Sequence, residues 1–368
     1  MLTSLYIHIP FCDNICTYCD FKKEIASSNK KANYISALIK ELNYYKNDVK
    51  KVKTIYIGGG TPSSLDLNLL ENLFTAIEEV IDTKNLIEYS IETNPNDINQ
   101  SFVSLITKYN VNRVSMGVQT FKVSLLKLLN RNHSIDDVYN AVSLLKKNNI
   151  SKINIDMIFS IPTSNIIDLQ NDLKHIKKLD VTHISYYSLI LEEKTVLNCQ
   201  IEQNKFSLLD EETEALMYNI VLDNLLEQGF NQYEISNFQK QEDYSYHNLT
   251  YWTNKEYLGI GVGAHSLFNQ QRWFNTNNVS EYISMCENSN FSKNSYSYEE
   301  LREVLMLGLR LTKGISITNI NETYKIDLLQ QYPDLIKYIN EGLLVIKDDY
   351  LSFTRKGLLL GNLVFEIF

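Results

Sequence analysis

The sequence predicts an α/β fold: an open, partial barrel of six strand–helix units, then a mainly helical region, then a C-terminal winged-helix-like domain. Three observations carry this. Short apolar strands alternate with amphipathic helices through the first half of the 368 residues. The alternation stops past residue 200. The tail reads as helix, hairpin, helix. Strand candidates lie at 4–9, 52–57, 86–92, 113–119, 153–159 and 183–189, with helical periodicity at 34–45, 67–81, 102–108, 135–147 and 166–179. Six units are too few for a closed eight-fold barrel. A doubly wound open sheet is the alternative.

The strands themselves alternate. Leu5, Ile7 and Ile9 share one face of the first strand, and Tyr6 and His8 the other. Val114, Met116 and Val118 oppose Arg113, Ser115, Gly117 and Gln119, while Ile153, Ile155 and Met157 oppose Asn154 and Asp156. A parallel strand buried on both faces reads as a continuous apolar run. A second face that stays polar points instead to a lumen that holds a ligand.

Beyond the barrel, 210–228 reads as a long helix, 229–238 as a short extended segment and 288–298 as a polar linker. Ser297-x-x-Glu300 has the form of a capping box opening the next helix. Asp348-Asp349 marks a hairpin tip. Expected domains are therefore 1–205, 206–290 and 297–368. A winged helix can bind DNA, but no basic recognition helix stands out, so a packing role is expected.

Composition narrows the classes. Hydrophobic residues make up 44% and charged ones 21%, an ordinary soluble profile, with a formal net charge of -9. A general nucleic-acid binder needs a basic face, so nucleic acid is not an expected partner. The N-terminal residues show no signal peptide and no apolar run reaches membrane-spanning length. Five unevenly spread cysteines do not form a disulfide framework, and thiolates kept free for metal fit a cytoplasmic setting.

Three of those cysteines, Cys12, Cys16 and Cys19, are spaced Cys-x3-Cys-x2-Cys straight after the first strand. Three thiolates can hold a four-iron cluster and leave one iron open, whereas a structural zinc wants four ligands and no second pair exists. The cluster is the favoured reading. Ligands of parallel strand–helix folds meet the C-terminal strand ends. Those ends carry Gly58-Gly59-Gly60-Thr61-Pro62, Glu92, Gln119 with Arg131 beyond it, and Asp156. Arg131 suits a carboxylate, and Glu92 and Asp156 suit hydroxyls or an ammonium. S-adenosylmethionine (SAM) has all three groups.

At these residues the chain resembles the radical SAM superfamily. The cysteine motif with Tyr18 before its third cysteine, the run from Tyr6 to Cys12, the Gly-Gly-Gly-Thr-Pro turn, Arg113–Gln119 and Asn154–Asp156 together look like the oxygen-independent coproporphyrinogen III oxidase group. The resemblance covers nearly the whole chain. It implies a [4Fe–4S] cluster on Cys12, Cys16 and Cys19, with SAM chelating the open iron. It also implies a pocket of Tyr6, Tyr18, Gly59, Gly60, Thr61, Glu92, Gln119, Arg131 and Asp156, and an electron donor whose electron cleaves SAM to methionine and a 5′-deoxyadenosyl radical.

Two kinds of protein in that group differ in function. The oxidases convert coproporphyrinogen III to protoporphyrinogen IX by radical oxidative decarboxylation. The HemW-type haem chaperones bind haem and hand it to target proteins. An oxidase has a fourth cysteine where this chain has Phe21, and a long extension where eleven residues precede Cys12. The run His247-Asn248-Leu249-Thr250-Tyr251-Trp252 matches the chaperones' HNxxYW motif, which makes His247, Tyr251 and Trp252 candidates for contact with haem. The resemblance thus implies a haem chaperone with haem as cargo. The oxidase is the alternative, and a radical SAM enzyme with another substrate a third. Two positions depart from the family's habit: Ser160, where glycine is common, and Tyr246, where smaller residues are common. His265, in a glycine-rich loop, is a weak pocket candidate.

Overall fold

The computed structural model describes residues 2–368; Met1 lies outside the described residues. Six strands form the frame: β1 (Ser4–Ile9), β2 (Thr54–Gly59), β3 (Glu88–Thr93), β4 (Arg113–Gln119), β5 (Lys152–Phe159) and β6 (His183–Ser188). They pair in chain order and in parallel. Between them run the expected helices Ser28–Tyr44, Leu67–Val80, Gln100–Lys108, Ile135–Lys147 and Ile166–Lys178. The last two start with reciprocal caps, Ser134 with Asp137 and Asn165 with Asp168. The apolar strand faces meet these helices in one large core, with Leu5, Ile7, Ile9, Val114 and Met116 wholly buried.

The barrel does not close. The region after it is helical at Glu211–Glu227, Tyr246–Trp252 and Val279–Glu287, and it also extends the sheet at both edges. β7 (Asn231–Gln232) and β8 (Asn237–Gln239) form a short antiparallel pair outside β6. On the other edge β9 (Tyr257–Ile260) lies parallel to β1, followed outward by β10 (His265–Phe268), β11 (Gln271–Phe274) and β12 (Asn294–Tyr296). The segment expected as a polar linker therefore carries a sheet strand. The capping box expected at Ser297 is not formed either. The helix runs Glu300–Gly308 from Glu299, without a side-chain cap, and has Glu300 and Glu303 in its first turn.

The C-terminal part has its own core, including Leu305, Leu309, Leu328, Leu344, Leu351 and Phe368. Its sheet orders β13 (Ile315–Ser316), β15 (Tyr350–Phe353) and β14 (Leu344–Lys347). The hairpin turns on Asp348 and Asp349, both at positive φ (48° and 74°), as a two-residue turn requires. Polar bonds fasten this unit to the rest: Ile235 N to Arg310 O at 3.1 Å, Thr312 N to Tyr233 O at 3.0 Å, and an Arg272–Glu303 ion pair.

Strand register stacks the lumen side chains in layers. Glu92, Ser115, Asn154 and His183 are consecutive partners across β3 to β6. Below them Arg113, 1% exposed, lies between Glu88 and Asp243, with Nε 3.3 Å from Glu88 Oε2 and Nη2 2.5 Å from Asp243 Oδ1. Glu88 also accepts from the backbone N–H of Tyr246 (2.7 Å) and of His247 (3.4 Å). The carboxylate thus sits at the N-terminus of helix Tyr246–Trp252, where the orphan N–H groups and the helix dipole favour negative charge.

Candidate functional site

β1 runs directly into the cysteine loop, and main-chain bonds hold that loop at several points. Cys12 N donates to Glu24 O (3.2 Å), Glu24 N to Pro10 O (2.7 Å) and Thr17 N to Leu129 O (3.2 Å). Cys12, Cys16 and Cys19 face one cavity of about 130 Å³. Thr61 Oγ1 donates to Cys12 Sγ (3.4 Å) and Arg131 Nη1 to Cys16 Sγ (3.5 Å). Burial pushes the Cys12 thiol up to about 11. Three cysteines around a shared cavity suit a larger polynuclear group, and the donors on Cys12 and Cys16 suit sulfur that carries negative charge.

The glycine turn after β2 is built for close approach. A Cβ at Gly59 (φ 115°) would lie 2.4 Å from the His8 ring, and one at Gly60 would lie 2.7 Å from Phe11 O and 3.1 Å from Cys12 Sγ. The same cavity is lined by Tyr18, Gly59, Gly60, Thr61, Glu92, Gln119, Arg131 and Asp156, eight of the nine expected SAM-pocket residues. Gln119 sits at a bulge in β4 with φ 68°, which re-aims its side chain, and Arg131 Nη2 donates to Gly117 O in the same bulge. Asp156 accepts from Asn154 Nδ2 (2.7 Å) and Ser115 Oγ (3.2 Å). Glu92 accepts from Tyr56 OH (2.8 Å) and Gly59 N (2.9 Å). Burial, with Asp156 nearby, lifts the Glu92 carboxyl to about 7 against the pull of those two bonds.

The ninth residue, Tyr6, does not line this cavity but stacks on Tyr56, which bonds Glu92. The Tyr6 hydroxyl is 2.9 Å from His8 Nδ1 and its ring lines a second cavity of about 540 Å³. Tyr251, Trp252, Tyr257 and Leu307 give that cavity mainly apolar walls, and Phe21, 66% exposed, belongs to both cavities. Tyr251 and Trp252, two of the three expected haem contacts, both line the second cavity. His247 is not on the cavity. It is 1% exposed, its Nδ1 lies 2.9 Å from Thr54 Oγ1 and its Nε2 lies 2.8 Å from Tyr251 OH. Burial pushes its imidazole down to about 3, so it is neutral. The i, i+4 spacing puts His247 and Tyr251 on one helix face, where the histidine fixes the tyrosine.

Residues 6–176 match the radical SAM superfamily and residues 298–360 the HemN C-terminal domain. Over 372 residues the chain is 37% identical to the heme chaperone HemW of Lactococcus lactis, covering 99% of this chain and 97% of that protein. The chain belongs to the HemW family of the radical SAM superfamily. The HemW of Bacillus subtilis is 36% identical over 375 residues, covering 100% and 99% of the two chains. The coproporphyrinogen III oxidase HemN of Escherichia coli superposes with a TM-score of 0.86 at 19% identity, over 100% of this chain and 89% of that one, and so shares the fold.

Within the HemW frame the two departures have structural accounts. Ser160 has φ 60°, the left-handed region that favours glycine, and its hydroxyl bonds Glu214 Oε2 at 3.2 Å. Tyr246 is 39% exposed and its ring meets Tyr244 edge-on rather than entering either cavity. Sequence reading missed Glu88, which anchors the HNxxYW helix, and Tyr187 and Lys23, which line the cysteine cavity. Glu88 carried one signal, an acidic residue at the start of β3 in period-two alternation with Ser90 and Glu92. No helix among the described residues is long and apolar enough to cross a membrane.

Proposed function

We propose that the protein is a haem chaperone: it binds haem in the cavity walled by Tyr251 and Trp252 and passes it to an acceptor protein. The observation that carries this is the apolar second cavity, which shares Phe21 with the cysteine cavity. Where an oxidase of this fold has a fourth cysteine, Phe21 offers a flat apolar face at the entrance to a porphyrin-sized space. The relatives named for haem chaperoning, matched over nearly their whole length, support the same reading.

Cys12, Cys16 and Cys19 would hold a [4Fe–4S] cluster, and Tyr18, Gly59, Gly60, Thr61, Glu92, Gln119, Arg131 and Asp156 would hold SAM. When bound, this pair supplies one-electron chemistry at the open iron, with the electron coming from a donor protein. The chain's own residues bind and orient. Arg131 and the Gly59–Thr61 turn take up polar groups, and Glu92 and Asp156 supply acceptors. The direct test pairs two assays on anaerobically reconstituted protein. Haem titration should give a saturable complex. Incubation with coproporphyrinogen III, SAM and reductant should give no protoporphyrinogen IX. Sustained turnover to protoporphyrinogen would replace the chaperone reading with the oxidase one.

Glu92 makes SAM binding pH-dependent. Its folded value of about 7 lies above the ordinary 4.5. The folded chain therefore holds a proton that the unfolded chain has lost between these values, and stability from this group falls as pH rises through the window. An ammonium or hydroxyl ligand needs the carboxylate, so binding expels that proton. Apparent SAM affinity should rise as pH climbs from 5 toward 7, by at most about tenfold per unit. Glu92→Gln should flatten the slope. Calorimetry in buffers of different ionisation enthalpy reads the released proton directly, and equal release by wild type and Glu92→Gln would refute the assignment.

A further inference from the structure

The HNxxYW histidine cannot reach cargo in this structure, since both of its ring nitrogens are engaged and its ring is sealed under the helix. Six histidines occur in the chain, and two of them line the second cavity, His8 and His265. His8 is also committed, with Nδ1 2.9 Å from Tyr6 OH and Nε2 3.0 Å from Lys22 O. His265 differs. It is exposed at the start of β10, and neither ring nitrogen carries a hydrogen bond among the described residues. Phe274 stacks on its ring at 5.3 Å and 25°, which fixes the plane while leaving the nitrogens free.

We infer that His265 is the axial ligand that this cavity, also lined by Tyr251 and Trp252, offers to haem iron, and that His247 is a positioning residue acting through Tyr251. The inference rests on haem being the cargo. Three observations agree with it. Partial burial and the nearby Arg272 guanidinium lower the His265 imidazole, so at neutral pH the neutral, ligating form prevails. Porphyrin faces need flat apolar surface, which Tyr251, Trp252 and Phe21 provide. Porphyrin carboxylates need a cation, and Lys22 stands exposed on the cavity wall without an ion pair among the described residues. A single histidine ligand leaves the opposite face of the iron for a ligand from the acceptor, as transfer by ligand exchange requires.

The test uses the full-length, reconstituted protein titrated with haem, comparing wild type, His265→Ala and His247→Gln. The readouts are haem affinity and the iron–histidine stretch of the ferrous complex. His265→Ala changes an exposed side chain and should fold normally. It should weaken haem binding at least about tenfold and abolish the iron–histidine signature. Free imidazole should restore that signature. His247→Gln should keep it even where affinity falls. If His265→Ala retains the histidine signature, or only His247→Gln loses it, the ligand assignment is overturned while the chaperone reading stands. If the wild type binds no haem, both fail together.

Discussion

Replacing Glu88 by alanine should cost about 3–5 kcal/mol of folding stability, the range expected when one partner of a buried ion pair is removed. Glu88 is wholly buried and serves two structures at once. It lies 3.3 Å from Arg113 Nε and accepts from the N–H groups of Tyr246 and His247. Without it, Arg113 keeps Asp243 but loses half of its counter-charge, and the helix Tyr246–Trp252 loses the acceptor at its first turn. Glu88→Gln keeps an oxygen in place and should cost less, about 1.5–3 kcal/mol for the charge-assisted bonds weakened. Urea unfolding followed by fluorescence gives the stability change. Hydrogen exchange over 245–252 shows whether the helix frays first. A Glu88→Ala protein within about 0.5 kcal/mol of wild type would dismiss this carboxylate as an anchor.

The second large effect concerns the cluster. Cys16→Ala should abolish iron and sulfide incorporation on anaerobic reconstitution, whereas Phe21→Ala should leave iron content near the wild-type value of about four per chain. The structure separates the two positions clearly. Cys16 Sγ accepts from Arg131 Nη1 inside the cysteine cavity, while Phe21 lies at its rim with most of its ring in solvent. Phe21→Ala should instead weaken haem binding, because it strips apolar wall from the second cavity. A Phe21→Ala protein that fails to hold its cluster, or a Cys16→Ala protein that keeps it, contradicts ligation by the three cysteines.

Much of the frame was legible because it follows from local pattern. The period-two alternation in β1, β4 and β5 located the strands to within two residues and correctly divided a core face from a polar lumen. What escaped depends on partners far along the chain. β9 pairs with β1 across some 250 residues, and β7 to β12 are two to four residues long, too short for periodicity to register. Tyr6 lies on the lumen face as its alternation implies, and its ring stacks on Tyr56. Its register partner is Tyr56, a layer away from Glu92, so its ring meets the second cavity. His247 was identified by its motif, but Thr54, the residue that occupies its Nδ1, lies 193 positions earlier. Motif reading finds the residue; only the fold shows that its nitrogens are taken.

The second cavity takes its wall from segments at opposite ends of the chain: Asp20–Lys22 beside β1, Tyr251 to Asn277 in the middle, and Leu307 on the helix that starts the C-terminal unit. That helix is held in a core that reaches to Val364 and Phe368. During synthesis the six-stranded frame, with the cysteines and the strand-end residues of the first cavity, has its strands complete by Ser188. The second cavity gains its last wall, Leu307, only with the C-terminal unit. On the haem-chaperone reading, a nascent chain would complete the frame of its first cavity before the second could take up haem, and uptake would follow completion of the chain.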